Sequence, residues 1–264
     1  MKTNTFKCFG SKRNTGNLAT IISGAENLSV AERLQLTQEK QYHASVFLNP
    51  INDTVISLDF YYPHMRSPLC LHATLAVAYQ YFNEHTDVSQ LTLITPSKQK
   101  ITATQPDNNI WLQLDPKPFP EVIVDNAIIQ LFINNTQTNP IQILSYFINS
   151  VGSPKLFVEV ENVNILSSLD PNLSLIHEWS QANKISGCYV YAKIDNVNIY
   201  GRNFNHVDAR LEDGATGVAA AAITHSLQLD LTVHQGEFLN NPCIINTRYS
   251  KDCIYISGQV EELI

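Results

Sequence analysis

Two short segments of this sequence place residues that can transfer protons at the predicted start of a helix. Cys70 and His72 stand just before the apolar run LAVAYQYF, and Asp213 precedes GATGVAAAAITHSL, which lacks Lys, Arg, Asp and Glu. An imidazole with a pKa of about 6.5 can act as an acid or a base at neutral pH. A helix N-terminus favours the thiolate form of a cysteine. These residue types predict acid–base chemistry at two helix starts.

The helix after Asp213 is predicted to be buried on all sides, because it has no charged face. Its four consecutive alanines, residues 219–222, allow close approach by surrounding strands. A helix N-terminus carries unpaired N–H groups and a positive partial charge, and it therefore suits an anion. Two such N-termini facing one cleft could bind a carboxylate and stabilise a carbanion or enolate formed beside it.

Each of these residues also has a simpler role open to it. Asp213 can cap the helix that follows it, since aspartate is a favoured N-cap residue. His72 can be an interior histidine whose hydrogen bonds are satisfied. Cys70 can be a small core residue, as most free cysteines are.

Composition narrows the classes of function. A net charge of −7 argues against nucleic acid as a partner, because phosphate binding needs a basic surface. No apolar run approaches the roughly 20 residues of a membrane helix, and no apolar core follows the basic residues near the N-terminus. The five cysteines are scattered without a C-x-x-C pair, which argues against a disulfide framework or a structural zinc site. We expect reduced thiols, no metal, and a cytoplasmic protein that does not bind membranes.

The elements that must position these residues are mostly short strands, with β-branched and aromatic residues between turn signals. The segment DPKPFPE, with three prolines, divides the chain into halves at 1–115 and 121–264, and the last strands can cross back to the first half. Each half has strands before an apolar helix, and aligning Ala73-Thr74 with Ala215-Thr216 gives a repeat offset of 142 residues. The sequence therefore predicts an α+β fold of two pseudo-symmetric halves, each a barrel-like, mostly antiparallel sheet around a central helix.

Several motifs in order resemble those of the phenazine-biosynthesis PhzF-like family, within the diaminopimelate-epimerase-like fold. The matching segments are GNLAT at 16–20, HASVFL at 43–48, FYYPHMRSPLCLHATLAVA, GRNF with LEDGATGVA, HQGEFLNNPCII and ISGQV. The resemblance covers nearly the whole chain. It implies a site at two helix N-termini between the halves, a small carboxylate-bearing substrate, and proton transfer without metal or organic cofactor. Many members are dimers, so a homodimer is expected.

The resemblance also assigns roles to residues of this sequence. Cys70, His72 and Asp213 are the candidates for proton transfer. The candidates for contact with the substrate are Asn17, Ser45, Leu71, Ala73, Thr216, Gly217 and Val218.

This sequence departs from the family at the positions that matter most. The acid–base glutamate of the family is Ala44 here, and the serine after A-T-G is Val218. The glycine of C-G-H is Leu71, which adds a bulky side chain. The second thiol of the epimerase branch is placed at Gly214, so a two-thiol epimerase is excluded.

Three functions remain open on the sequence. The first is an isomerase or epimerase in which His72, Asp213 and Cys70 replace the missing glutamate. The second is a binding module or pseudoenzyme on the same scaffold, which Ala44 and Val218 favour. The third is a thiol enzyme that uses Cys70 as a nucleophile with His72.

Overall fold

The computed structural model of the chain describes residues 1–134, 139–204 and 212–263, so residues 135–138, 205–211 and 264 of the predicted second half lie outside the described residues. Within these ranges, 17 strands belong to one sheet. The strands are β1 Lys2–Cys8, β2 Asn17–Ser23, β3 Ser45–Asn52, β4 Val55–Tyr62, β5 Met65–Ser67, β6 Gln90–Ile94, β7 Lys100–Thr104, β8 Trp111–Leu114, β9 Ile143–Asn149, β10 Lys155–Val160, β11 Cys188–Lys193, β12 Asn198–Phe204, β13 Glu212–Asp213, β14 Leu231–Gln235, β15 Cys243–Ser250, β16 Cys253–Ser257 and β17 Val260–Leu263.

Six α-helices lie in the described ranges. They are α1 Val30–Glu39, α2 Leu71–Glu84, α3 Asn126–Ile133, α4 Val163–Ser168, α5 Leu173–Asn183 and α6 Gly217–Leu227. Two single-turn 3₁₀ helices cover Pro106–Asn108 and Glu237–Leu239. None of the helices in the described part of the chain is long and apolar enough to cross a membrane.

The strand pairings repeat in the same order in the two halves. Strands β2 and β3 are parallel, β3 and β4 antiparallel, β4 and β6 parallel, and β6 to β8 antiparallel. Strands β10, β11, β12, β14, β15 and β16 follow the same sequence of directions. The halves are joined by pairing of β8 with β16, while β17 returns to pair with β1. The α+β fold predicted from the sequence is confirmed.

The two apolar helices lie at the centre of one hydrophobic core. Alanines 219–222 of α6 have no exposed surface, and residues 71–78 of α2 are all buried. Helix α2 contacts β1, β2, β3 and β17, whereas α6 contacts β9, β15 and β16. The prediction that a helix without charged residues is buried all round is therefore confirmed for α6.

A second, outer core covers the C-terminal half. Alternate residues of β10 belong to different cores: Phe157 packs with the inner one, whereas Leu156 and Val158 pack in the outer one. This alternation follows from the two-residue period of a strand. Helices α3, α4 and α5 supply the other side of the outer core.

The helix starts and the strand pairings give different offsets between the halves. Cys70 is the N-cap of α2 and Thr216 is the N-cap of α6, and these positions are 146 residues apart. Ser45 and Cys188, the first residues of β3 and β11, have equivalent pairings and are 143 residues apart. Because assigned helix ends vary by one or two residues, the offset of 142 residues stays a prediction.

Candidate active site

The N-termini of α2 and α6 meet in the interior of the protein. A Cβ built on Gly217 would lie 3.1 Å from Cβ of Leu71, 3.0 Å from Cδ1 of Ile256 and 3.3 Å from Cζ of Phe9. Leu71 and Gly217 are the first residues of α2 and α6, so the opening turns of the two helices are in direct contact. A methyl group at position 217 would be crowded, so these neighbouring side chains would have to shift by a few tenths of an ångström to accept it.

These two helices differ from the others at their N-termini. Side chains of Ser29, Asp125, Asn162 and Asn172 accept backbone N–H bonds and so cap α1, α3, α4 and α5. Thr216 makes no such bond, whereas the N–H of Ala73 is directed at the sulfur of Cys70 and helps to lower the pKa of that thiol. Because the first N–H groups of a helix have no acceptor within it, the other N–H groups of these two first turns suit an anion.

Cys70 and His72 form a buried pair at the start of α2. The sulfur of Cys70 lies 3.5 Å from Nδ1 and 3.6 Å from Nε2 of His72. The hydroxyl of Tyr62, at the end of β4, donates to the same sulfur at 3.5 Å. The N-cap position and the following turn of helix bring the two side chains together, which their spacing in sequence alone does not guarantee.

The electrostatics of the pair favour a thiolate beside an imidazolium. Burial acts to raise the pKa of Cys70, but the positive charge and hydrogen bond of His72, with the bond from Tyr62, leave that pKa lowered. Burial acts to lower the pKa of His72, but the charge and hydrogen bond of Cys70, followed by the charge of Asp213, leave that pKa raised. Each partner therefore stabilises the charged form of the other.

Asp213 lies at the opposite helix start and joins the halves. Its Oδ1 accepts a bond from Nδ2 of Asn17 at 2.8 Å, and its Oδ2 accepts one from Oγ1 of Thr216 at 2.6 Å. Asn17 also donates to the carbonyl of Ala215 at 2.9 Å. The carboxylate therefore binds side chains from both halves and does not cap α6 through a backbone N–H.

Gln235 completes this network from the end of β14. Its Nε2 donates to the carbonyl of Asp213 at 2.7 Å and to Oγ1 of Thr216 at 3.0 Å, while its Oε1 accepts from the N–H of Thr216 at 3.0 Å. The hydroxyl of Tyr189 also donates to Oε1, at 3.3 Å. These bonds fix the backbone that leads into α6.

Glu212, next to Asp213, forms a nearly buried ion pair. Its two oxygens accept bonds from Nε and Nη2 of Arg202 at 3.0 and 2.8 Å. The guanidinium also lies over the rings of Phe204 and Phe238, and its Nη1 donates to the carbonyls of Leu166 and Leu169. The pair therefore anchors β13 against β12 beside the outer core.

The other predicted contact residues fall into two groups. Leu71, Ala73, Gly217 and Val218 lie in the first turns of the two helices, beside Cys70 and Thr216. Ser45 does not join them, because its hydroxyl lies 2.6 Å from Oγ1 of Thr37 on α1 and 3.4 Å from the carbonyl of Tyr61. Ala44, where the family has its glutamate, is buried in the inner core.

Sequence reasoning missed Tyr62 and Gln235. Tyr62 ends the strand VISLDFYY, and its hydroxyl is aimed at Cys70 only because β4 lies beside the start of α2. Gln235 stands in the segment HQG, which the sequence comparison included as a motif without assigning the glutamine a role. In the described residues, no group of three or more His, Cys, Asp and Glu side chains could hold a metal ion.

Residues 6–250 match the model of a family described as phenazine biosynthesis-like proteins. A Salmonella typhimurium protein named uncharacterized isomerase YddE is 25% identical, over 92% of this chain and 90% of its own length.

Solved structures show the same fold. A PhzF-family phenazine biosynthesis protein from Bacillus anthracis superimposes with a TM-score of 0.78 at 20% identity, with 100% of both chains covered. One from Enterococcus faecalis gives a TM-score of 0.80 at 18% identity, covering 100% of this chain and 98% of its own.

Proposed function

Because this chain belongs to the family of phenazine biosynthesis-like proteins, we propose that it is an isomerase or epimerase of small organic acids. The reaction moves a proton on the carbon chain next to a carboxylate. The observation that carries the proposal is the meeting of two helix N-termini beside the buried Cys70–His72 pair. The name of the Salmonella relative, an isomerase, supports the same class.

In this proposal the helix N-termini bind the carboxylate. Their free N–H groups and positive partial charge stabilise negative charge, and they do so more strongly as an enolate forms. The thiolate of Cys70 takes a proton from the neighbouring carbon, and the electrons of that C–H bond move into the carboxylate. In an isomerisation, the Cys70 thiol returns this proton to another carbon. In an epimerisation, a water molecule gives a proton to the opposite face of the same carbon, and the hydroxide that remains takes the proton from the Cys70 thiol.

His72 and Asp213 have supporting parts in this chemistry. His72, as the imidazolium, keeps Cys70 ionised before the proton is taken. Asp213 contributes the negative charge that helps to keep His72 protonated. Since both oxygens of Asp213 already accept hydrogen bonds, we assign it the positioning of Asn17 and Thr216. Action without metal or organic cofactor, a homodimer and a cytoplasmic location are further parts of the proposal.

The proposal is tested by hydrogen–deuterium exchange in D2O. The protein is incubated with a panel of amino and hydroxy acids, and deuterium at the α- and γ-carbons is measured by NMR. We expect incorporation into at least one acid. A broad panel without exchange would leave the proposal without support from activity.

A second candidate function is ligand binding without turnover. It is favoured by Ala44 and Val218, which lack the family's carboxylate and hydroxyl. It is also favoured by Leu71, which replaces a glycine of the family with a bulky side chain and lies against Gly217. Under this alternative the protein binds carboxylates but exchanges no proton. Recovery of exchange in an Ala44→Glu, Val218→Ser double variant, with none in the parent, would support it.

A further inference from the structure

Asn203 has a buried side-chain oxygen that accepts no hydrogen bond within the described part of the chain. The residue lies on β12 and is only 1% exposed. Buried polar atoms nearly always have a partner, so an acceptor without one needs an explanation. Of the side chains with such an atom, Asn203 alone pairs across strands with Asp213; the others are Gln80, Asn134, His177 and Ser180.

Strand alternation directs the Asn203 side chain towards the inside of the second half. Phe204, the next residue, packs in the outer core, and the guanidinium of Arg202 lies over its ring. Tyr189, the cross-strand partner of Asn203 on β11, lies in the inner core. Because successive side chains of a strand face opposite sides, Asn203 faces the inner core beside Tyr189.

Both cross-strand neighbours of Asn203 reach the start of α6. On one side, the hydroxyl of Tyr189 donates to Oε1 of Gln235, and the same oxygen accepts the N–H of Thr216. On the other side, Oδ2 of Asp213 accepts a bond from Oγ1 of Thr216 at 2.6 Å. Directly opposite residues of an antiparallel pair have Cβ atoms about 4.5–5.5 Å apart. The amide of Asn203 therefore lies between two side chains that hold the N-terminus of α6.

The start of α6 presents groups of opposite character to a small ligand. The side chain of Thr216 does not cap the helix, so its first N–H groups suit a carboxylate. The free oxygen of Asn203 needs a donor, and the neighbouring carboxylate of Asp213 favours a donor with positive charge. Asp213, Thr216 and Val218 are each partly exposed, so a ligand can reach this helix start from the surface.

We propose that Asn203 accepts a hydrogen bond from the ammonium group of an α-amino acid whose carboxylate binds the N–H groups at the start of α6. In an α-amino acid both groups are attached to one carbon, and this carbon carries the proton that the proposed reaction moves. The inference rests on the proposed function, and it narrows the substrates from small organic acids to α-amino acids.

A purely structural role explains Asn203 less well, because the fold does not require an amide at this position. The equivalent residue of the first half is Phe60, since each of the two comes directly before the partner of the first residue of β3 or β11. Phe60 is 1% exposed and packs in the inner core. An apolar side chain fills such a position without leaving a buried acceptor unpaired.

The test compares acids with and without an amino group. The standard amino acids, in both enantiomers, are screened for binding to the parent protein by ligand-detected NMR. The tightest binder is then titrated by calorimetry beside its two counterparts, the acid with a hydroxyl in place of the amino group and the acid with hydrogen there. The same titrations are made on Asn203→Leu, on Asn203→Ala and on Asn246→Ala, a control at an exposed asparagine of β15.

We expect at least one amino acid to bind the parent and the Asn246→Ala variant equally, and both counterparts to bind about tenfold or more weakly. Both Asn203 variants should lose about tenfold or more in affinity for the amino acid, as expected for a hydrogen bond to a charged group. Their affinity for the counterpart with hydrogen should equal that of the parent, because its carboxylate still meets the start of α6.

Four results overturn the inference. No amino acid binds the parent, or the counterparts bind it as tightly as the amino acid. Unchanged amino-acid affinity in both Asn203 variants shows that the oxygen of Asn203 meets water alone. An equal loss of affinity for all three acids shows that Asn203 supports the helix start and does not contact the amino group. If Asn203→Leu does not fold, Asn203→Ala, which removes the acceptor without crowding the core, decides between these results.

The outcome separates this inference from the proposed function. Amino-acid binding that depends on Asn203, with no proton exchange in the parent, keeps the inference and removes the isomerase. Proton exchange on an acid without an amino group, at the same rate in the parent and in both Asn203 variants, does the reverse.

Discussion

The sulfur of Cys70 lies 3.5 Å from Nδ1 of His72, at the N-terminus of a helix buried in the inner core. Both side chains come from one helix start, and Tyr62 from the neighbouring strand donates to the same sulfur. The pair is therefore held by local backbone geometry and by one contact across the sheet. It also makes the thiol-nucleophile hypothesis geometrically accessible, although the name of the Salmonella relative, an uncharacterized isomerase, supports the proposed isomerase instead.

The first prediction concerns the ionisation of Cys70. Its pKa lies below the ordinary value of 9.0, mainly because of the charge of His72, whereas burial raises the pKa of Cys8, Cys188 and Cys243. In a Cys253→Ser background, which removes the one partly exposed thiol of the described residues, titration of the thiolate absorbance should therefore show a step below pH 9.0. Cys70→Ser should remove this step and His72→Gln should move it to higher pH. A step that survives in the Cys70→Ser, Cys253→Ser double variant belongs to another thiol and contradicts the assignment.

The contact between the two helix starts predicts an interaction between Leu71 and Gly217. Gly217→Ala should lower the free energy of unfolding by about 1–3 kcal/mol, the usual cost of overpacking a core. Adding Leu71→Gly removes one of the crowding groups, so the double variant should lose less than the sum of the single losses. Urea unfolding of all four proteins gives the coupling, and strict additivity would show that these residues do not touch.

The Arg202–Glu212 pair should be strongly coupled. Arg202→Met leaves a nearly buried carboxylate unpaired and should cost about 3–5 kcal/mol in urea unfolding. Arg202→Met combined with Glu212→Leu removes both charges and should recover much of this loss. Equal instability of the single and double variants would argue that packing of Arg202 on Phe204 and Phe238, and not its charge, matters.

Lys155 predicts a particular dependence of stability on pH. Its pKa falls from 10.5 in the unfolded chain to about 8 in the folded protein, because burial disfavours the charged form. Between these values the unfolded chain binds more protons, so stability rises with pH; below pH 8 the full cost is present, at most about 3 kcal/mol. The stability of the parent relative to Lys155→Met should therefore improve from pH 8 to 10. A flat difference would mean that Lys155 has an ordinary pKa.

Part of the site was accessible from the sequence because it depends on local patterns. The absence of charge in GATGVAAAAITHSL predicts a buried helix, and the structure places Ala219 to Ala222 fully inside. Local patterns do not fix the register of a repeat, however, so the offset given by the Ala-Thr match stays a prediction.

The rest depends on side-chain directions that only strand pairing decides. Ala44 and Ser45 are neighbours, but alternate residues of a strand face opposite sides, and Ser45 turns its hydroxyl towards Thr37 on α1. Lys155 gave no signal, because a lysine at the start of a strand normally reaches solvent. Its burial follows from the turn at Gly152 and from the packing of the second half.

The most direct test of the central claim is proton exchange by the parent beside the Cys70→Ser variant. Using an acid found to bind, deuterium incorporation from D2O is followed by NMR, with Cys253→Ser as the matched control at a cysteine outside the buried pair. We predict exchange by the parent and by Cys253→Ser, and a loss of about 100-fold or more in Cys70→Ser, as expected for removal of an acid–base group. Exchange by Cys70→Ser at the parental rate would contradict the claim that this thiol carries the proton.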